Sequence, residues 1–292
     1  SRAVLRDARA SRPQPSRDEK VLAGWTGLAA SGFAVAGQSL HERPFRERAG
    51  QALHFVEERL FQDDRLHRVY RDGTVAVPAF LEDYAAVARG AFHHYRATDD
   101  AESLRLGLRL VGGLLEHCWD PDEGRLRFAP RDRPDGPPGD LRDPVDGATP
   151  SPIGLAIGAL AVADQFRPDD AAAEALSAAI SAHPVGPRGR PSVTHAVDIW
   201  DRGPPSLTIV ADRLPEAWRR QLDALDPDLI VTRRPPGSAV HEAAAELGLE
   251  SLPPLWRDRD RRDGRPTVYP CRGRTCGRPT DSLEAALAWF EA

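Results

Sequence analysis

Residues 78–118, PAFLEDYAAVARGAFHHYRATDDAESLRLGLRLVGGLLEHC, contain the unit from which we expect this protein to be built. Pro78 precedes a predicted helix over 79–96, and the turn-like ATDD (97–100) separates it from a second predicted helix over 101–118. A connection this short makes the two helices antiparallel neighbours. The stretch therefore predicts a helix hairpin.

The same pattern occurs on both sides of this stretch. Upstream, apolar residues at three- and four-residue steps predict helices over 20–40 and 45–61, joined by the short HERP (41–44). Downstream, a third pair is predicted over 151–165 and 171–182, interrupted at RPDD (167–170). A series of antiparallel helix hairpins predicts a mainly α fold.

After residue 204 the apolar residues no longer recur only at three- and four-residue steps but also form short continuous runs. Short β-branched runs predict strands over 206–211, 228–232 and 267–271. The helical pattern EAWRRQLDAL (216–225) stands between the first two runs, which indicates a βαβ unit. We therefore divide the chain into helical hairpins over 1–204 and a small α/β segment over 205–292.

The composition of the chain argues against some classes of partner. The 292 residues carry 39 Lys and Arg against 44 Asp and Glu, a net charge of -5, and the charges are interspersed. This balance argues against a nucleic-acid partner. No apolar run approaches the roughly 20 residues that span a bilayer, and the first residues lack the apolar centre of a signal peptide. We expect no membrane partner and a cytoplasmic location.

Methionine is absent from the whole sequence, including position 1. We therefore expect the chain to be a fragment or a processed product.

Four motifs, in this order, are specific in combination. They are RASRPQPSRDEKVLAGWTGL (9–28), YRDGTVAVPAFLEDYA (70–85), DGATPS (146–151) and TVYPCRGRTCGRPT (267–280). Together they resemble the helical portion of the thioredoxin-domain-containing proteins related to spermatogenesis-associated protein 20. Three positions depart from that family's pattern: Thr26 replaces its usual Asn, Glu19 an Asp, and Pro152 the Gly-Asn that commonly follows the serine.

The resemblance implies a partial (α/α) toroid of the six-hairpin glycosidase and N-acylglucosamine 2-epimerase type. The thioredoxin-like domain of that family has no counterpart in these 292 residues. In full-length members it would be a partner in cis. A carbohydrate ligand is the other partner that the resemblance implies.

In such toroids the loops at one end of the hairpins line a central cavity, and carbohydrate chemistry there uses paired carboxylates. The candidates in this chain are Asp72, Asp83 and Asp146. Each also has an ordinary structural interpretation. Asp72 fits an Asp-Gly turn, Asp83 a helix cap or surface pair, and Asp146 another turn, and both interpretations stay open.

The candidate substrate-binding residues accompany these carboxylates: Trp25, Tyr84, Arg71 and Thr149. Aromatic rings could stack on the apolar face of a sugar. Trp25 lies on the apolar stripe of its helix, so core packing is its favoured interpretation. Tyr84, beside Asp83, is the better candidate.

Histidines could supply the base and the acid that an epimerase needs on opposite faces of its sugar. The sequence offers His67, His93, His94, His117 and His195. None lies in a stretch that matches the family closely, and we assign none of them.

Cys271 and Cys276 form a Cys-x4-Cys pair at the end of a predicted strand. The thiols could approach disulfide distance if RGRT (272–275) forms a turn, and nearby arginines would favour thiolate. The two cysteines are candidates for a redox pair, and two buried or half-buried structural thiols are the favoured interpretation. No metal site is predicted, since closed zinc sites need four ligands.

The sequence contains no phosphate-binding Gly-rich loop, no HExxH and no nucleophile-elbow serine, and we predict no cofactor. Our first hypothesis is a glycosidase-like toroid that binds or acts on carbohydrate, as a hydrolase or an epimerase. The alternative is a non-catalytic scaffold or redox-linked partner module for a thioredoxin-like domain.

Overall fold

The computed structural model describes residues 2–133, 144–183 and 189–291 and is mainly α. Its helices are α1 (Arg2–Ala10), α2 (Ala23–Ser39), α3 (Arg43–Arg59), α4 (Leu81–Thr98), α5 (Ala101–Cys118), α6 (Pro152–Phe166), α7 (Asp170–Ala182), α8 (Pro191–Asp201), α9 (Glu216–Asp223), α10 (Ala239–Glu246) and α11 (Leu283–Ala288). Its strands are β1 (Val21–Leu22), β2 (Phe61–Gln62), β3 (Arg65–Arg71), β4 (Thr74–Pro78), β5 (Trp119–Asp120), β6 (Arg125–Leu126), β7 (Pro205–Val210), β8 (Ile230–Arg234), β9 (Thr267–Arg272) and β10 (Thr275–Cys276).

The three predicted helix hairpins are confirmed as α2–α3, α4–α5 and α6–α7. Helix α4 packs between α2 and α6, and α6 in turn packs against α8. The second helix of each hairpin lies on the outside, where α5 contacts both α3 and α7. This double row is an arc of an (α/α) toroid. Helix α8 was not predicted from the sequence.

The contact between α2 and α4 is unusually close because glycines line it. A Cβ atom added at Gly27 would lie 2.5 Å from the backbone nitrogen of Val87, and one added at Gly90 would lie 2.6 Å from the carbonyl oxygen of Gly27. The buried face of α2 is accordingly made of small residues.

This packing corrects the expectation for Trp25. Its side chain is 64% exposed, not part of the core. A close helix contact requires small residues, so the face of α2 that packs against α4 is one that Trp25 does not share.

The first residues of the predicted helix 20–40 form a strand instead. Val21 and Leu22 pair with Tyr70 and Val69 of β3, so α2 begins only at Ala23. Strand β3 also pairs antiparallel with β2 and β4, giving a small sheet that the sequence analysis did not predict.

The α/β segment contains the predicted βαβ unit. Strands β7 and β8 are parallel and are joined through α9, which confirms that expectation. Strand β9 pairs antiparallel with β7, and β10 with β9. Ile230 and Trp256 belong to the same buried cluster as the helical hairpins. The division after residue 204 stays a prediction, because side chains from both sides share this core.

The connection over 119–150, between α5 and α6, begins with the short β5–β6 pair. Residues 134–143 of this connection lie outside the described part of the chain. Within the described ranges, no helix has the length and apolar character needed to cross a bilayer.

Candidate functional site

A cavity of about 380 Å³ lies between α4, α6, α8 and residues 227–231, which lead into β8. We call it the α4–α8 cavity. Phe92, Tyr95 and Phe166 contribute aromatic surface to its lining. Its volume falls within the range typical of small-molecule sites. The arc of helices therefore encloses a ligand-sized space that the α/β segment closes on one side.

Two histidines line this cavity around one carboxylate. Nε2 of His195, on α8, lies 2.6 Å from Oδ2 of Asp228. Nε2 of His93, on α4, lies 4.0 Å from the other oxygen, Oδ1. NH2 of Arg89 is also 4.0 Å from Oδ1. Asp228 thus connects proton-carrying groups from two helices that both pack against α6.

A hydrogen bond with α2 sets the orientation of the His93 ring. Its Nδ1 lies 2.8 Å from Oγ of Ser31. This hydrogen bond leaves Nε2 facing Asp228. Burial lowers the pKa of His93 well below its ordinary value, and the charge of Arg89 acts in the same direction. The imidazole of His93 is therefore neutral.

Asp228 has the opposite electrostatic character. Burial by itself would raise the pKa of Asp228, but the hydrogen bond with His195 and the positive charge of Arg89 outweigh it, and the net pKa of Asp228 is lowered. The cavity therefore combines one neutral histidine with one histidine that has an anionic partner.

Asp146 also lines the α4–α8 cavity, but its oxygens already accept hydrogen bonds from the backbone. Oδ1 accepts from the amide of Ser151, and Oδ2 accepts from the amide and the hydroxyl of Ser192. These bonds satisfy donors at the starts of α6 and α8. In this structure the carboxylate positions the two helices that form the cavity wall.

Asp83 lies in a separate, narrow cleft, together with Trp25 and Thr149. The free volume of this cleft is about 10 Å³, so it holds at most about one water molecule. Trp25 and Thr149, both predicted to bind substrate, are thus brought close to Asp83. The space between them is too small for a sugar.

The oxygens of Asp83 have several partners. Oδ1 accepts from the amide of Gly24 at 2.9 Å. Oδ2 accepts from the amide of Phe80 at 2.9 Å and from NH1 of Arg68 at 2.8 Å. One buried side chain therefore caps α4, holds the start of α2 and pairs with β3.

The remaining predicted residues lie elsewhere. Asp72 is at the β3–β4 turn with a positive φ of 49°, its side chain is 82% exposed, and it pairs with Arg71. Tyr84 is only 2% exposed and packs against Gly113 of α5. Tyr84 therefore has no open ring face for a ligand, because the side of α4 that carries it faces α5.

Cys271 and Cys276 form a disulfide between directly paired positions of β9 and β10. Cys118 is a free, buried thiol, as expected for a core residue. Within the described ranges, no group of three or more His, Cys, Asp or Glu side chains is arranged to hold a metal ion.

Sequence reasoning missed His93, His195 and Asp228 as a group. The HHY triplet at 93–95 is the local signal, because buried histidines need a polar partner. Nothing local connects it to Asp228, which precedes β8.

Comparison with known proteins places the chain in context. Over 157 residues it is 34% identical to spermatogenesis-associated protein 20 of Mus musculus and of Homo sapiens, covering 50% of this chain and 20% of each relative. Half of the chain is thus similar to spermatogenesis-associated protein 20. This similarity confirms the resemblance that the sequence motifs indicate.

A longer match extends over nearly the whole chain. An uncharacterized protein of Caenorhabditis elegans is 23% identical over 296 residues, covering 97% of this chain and 39% of that protein. The chain thus spans well under half the length of these relatives. No family model matches it. Cellobiose 2-epimerase from Bacillus thermoamylovorans B4167 aligns with a TM-score of 0.45 and 14% identity, over 57% of this chain and 45% of that structure.

Proposed function

We propose that the α4–α8 cavity binds a carbohydrate and that His93 and His195 exchange protons with it in an epimerase-type reaction. The observation that carries this proposal is the arrangement of both histidines around Asp228 inside one ligand-sized cavity. A hydrolase would need two available carboxylates facing one bond. Asp83 and Asp146 line different spaces and are engaged with backbone amides, which favours proton transfer over glycoside hydrolysis.

The chemistry follows from the protonation states. Neutral His93 would remove the proton from a carbon next to the carbonyl of an open-chain sugar, and the electron pair would move onto the carbonyl oxygen as an enolate. His195, which is hydrogen-bonded to Asp228, would then give a proton to the same carbon from the other side. One carbon is inverted, and transfer of a proton from His93 back to His195 restores the starting state.

The cavity lining suits a sugar in two respects. Phe92 and Phe166 offer apolar surface to the ring face or the carbon chain. Arg89 offers hydrogen-bond donors on the same cavity. A polyhydroxylated ligand needs both kinds of surface.

Filling the cavity tests the binding site. A Cβ atom at Gly158, which lines the cavity on α6, would meet nothing within 4 Å. We therefore expect Gly158→Phe to fold and to block the cavity, lowering the affinity for any bound sugar at least about tenfold. Saturation-transfer NMR with a panel of mono- and disaccharides measures this.

The matched control is Gly32→Phe, where the added side chain also meets open space but on the outer surface of α2. It should bind as the unmodified protein does. Equal binding by both variants would place the sugar elsewhere, and no binding by the unmodified protein would count against the proposal.

Proton transfer has its own readout. In D₂O, the unmodified protein should exchange the hydrogen next to the carbonyl of its sugar for deuterium, and His93→Gln, which removes the base, should slow this exchange about 100-fold or more. Proton NMR follows the loss of the hydrogen signal. His54→Gln, which removes a histidine exposed on α3, should leave the rate unchanged. Exchange that survives His93→Gln would exclude this role.

A second candidate function is a non-catalytic scaffold or redox-linked module that works with a thioredoxin-like domain. The observation in its favour is the Cys271–Cys276 disulfide, which lies on the α/β segment away from the cavity lining. This alternative gains support if the sugar panel fails while the disulfide exchanges with thiols in the folded protein.

A further inference from the structure

We propose that the Cys271–Cys276 disulfide is a thiol–disulfide exchange site, which an external dithiol attacks at Cys276 and from which Cys271 leaves with Arg259 as its counter-ion. This inference does not depend on the ligand of the α4–α8 cavity. It assigns which sulfur atom is attacked and which one leaves, because the two sulfur atoms have different surroundings.

The first difference is exposure. Cys271 is fully buried in β9, whereas Cys276 is exposed in β10. Beside Cys276 a cavity of about 490 Å³ opens, lined also by Pro279 and Trp289. Exchange requires a thiolate to reach a sulfur of the disulfide. That attack is therefore directed to Cys276.

The second observation is a cation placed on both sulfurs. NH2 of Arg259 lies 3.1 Å from Sγ of Cys271 and 3.4 Å from Sγ of Cys276. The other guanidinium nitrogen, NH1, donates to Oγ1 of Thr208 at 2.8 Å and to the carbonyl of Leu255. Arg259 is thus held in place before any charge forms, closer to Cys271 than to Cys276.

A preplaced cation favours the departure of a thiolate. When an external thiolate forms a bond to Sγ of Cys276, the Cys271–Cys276 bond breaks and its electron pair moves onto Sγ of Cys271. Nearby arginine stabilises thiolate, and a leaving thiol with a lower pKa departs faster. Arg259 would therefore accelerate this step.

The second half of the exchange completes the balance. The second thiol of the dithiol, as thiolate, then attacks the dithiol sulfur that is bonded to Cys276. This attack releases Cys276 as thiolate. The dithiol loses two electrons and becomes a disulfide, while Cys271 and Cys276 gain them. The two protons of the dithiol end on the two cysteines.

The hairpin that carries the pair does not need the disulfide to remain closed. Thr275 pairs with Arg272 across β9 and β10, and the amide of Gly277 donates to the carbonyl of Pro270 at 2.8 Å. Stabilisation by a disulfide grows with the length of the loop that it closes, and this loop is short. A reversible bond is therefore compatible with the fold.

Single-cysteine variants test the direction of attack. Cys271→Ser leaves Cys276 exposed, and Cys276→Ser leaves Cys271 buried, so we expect the first to react with the Ellman reagent at least about tenfold faster. Buried Cys118, common to both variants, has its pKa raised to about 12 by burial and serves as the slow reference. Equal rates, or a faster Cys271, would overturn the proposal.

Reduction of the intact disulfide tests the role of Arg259. With dithiothreitol as the dithiol, and alkylation followed by mass spectrometry as the readout, Arg259→Gln should slow reduction about tenfold. Arg274→Gln is the matched control, because it removes the same charge from the turn between the cysteines, where Arg274 interacts with Asp164. An equal effect of both variants, or of neither, would refute the contact with Arg259. A pair that is reduced only on unfolding would refute the exchange site.

Discussion

Replacing Asp83 with alanine should lower the free energy of unfolding by about 3–5 kcal/mol, the usual result of removing one member of a buried ion pair. The side chain is 1% exposed and accepts from Gly24, Phe80 and Arg68. Alanine would leave two buried amides without an acceptor. Arg68 would lose its ion pair with Asp83 and keep its ion pair with Glu82. Urea unfolding followed by circular dichroism measures the change.

Two further variants separate this effect from a general loss of charge. Asp72→Ala removes an exposed carboxylate at the β3–β4 turn and should change stability by no more than about 0.5 kcal/mol. Asp83→Asn keeps an acceptor oxygen but loses the charge, so we expect a smaller loss than for alanine. A change below about 1 kcal/mol for Asp83→Ala would contradict the assigned contacts.

A single methyl group at Gly27 should have the second large effect. Its Cβ would lie 2.5 Å from the backbone nitrogen of Val87 and 2.6 Å from the carbonyl carbon and oxygen of Ala86. Backbone atoms of a packed helix cannot rotate away, so α2 and α4 would have to separate. We expect Gly27→Ala to cost about 3 kcal/mol, the upper range for overpacking, as measured by urea unfolding.

Gly32 lies on the same helix and provides the matched control. A Cβ atom there would meet nothing within 4 Å. Gly32→Ala should therefore stabilise the protein by about 0.5–1 kcal/mol, because alanine is the better helix former. If both alanine variants changed stability alike, the glycine contact between α2 and α4 could not be as close as described.

The helix hairpins could be predicted because their evidence is local. Apolar residues at three- and four-residue steps predict each helix, and a short connection predicts an antiparallel pair. Both signals involve residues that are close together in the sequence, such as 97–100 between α4 and α5. The βαβ unit around α9 was predictable for the same reason. Helix α8 was not predicted because its eleven residues follow a Pro- and Gly-rich stretch, although Val193, Ala196 and Val197 recur at three- and four-residue steps.

The side of α2 that is buried could not be read from hydrophobicity. Trp25 is the largest apolar residue of that helix, yet it is exposed, and most of the buried residues of α2 are glycine or alanine. A small-residue stripe has weak hydrophobic signal but permits the closest approach of two helices. The error on Trp25 therefore has a geometric cause.

The candidate site depended still more on tertiary structure. His195 and Asp228 are 33 residues apart in the chain, and His93 comes from another hairpin. Asp72, Asp83 and Asp146 lie in motifs shared with a family, but the structure uses their oxygens at a turn and at helix starts. Sequence motifs select residues that matter, without saying whether for chemistry or for folding.

By itself, the sequence determined the helix hairpins, the βαβ unit, the relationship to spermatogenesis-associated protein 20 and the proximity of Cys271 to Cys276. These features depend on residues close together in the chain or on whole motifs. Only the tertiary structure decided which polar groups face the α4–α8 cavity and which cation touches the two sulfurs. These groups come from distant parts of the chain, and they meet only if their helices and strands pack closely enough. The volume of the side chains at each contact sets the distance between the packed elements.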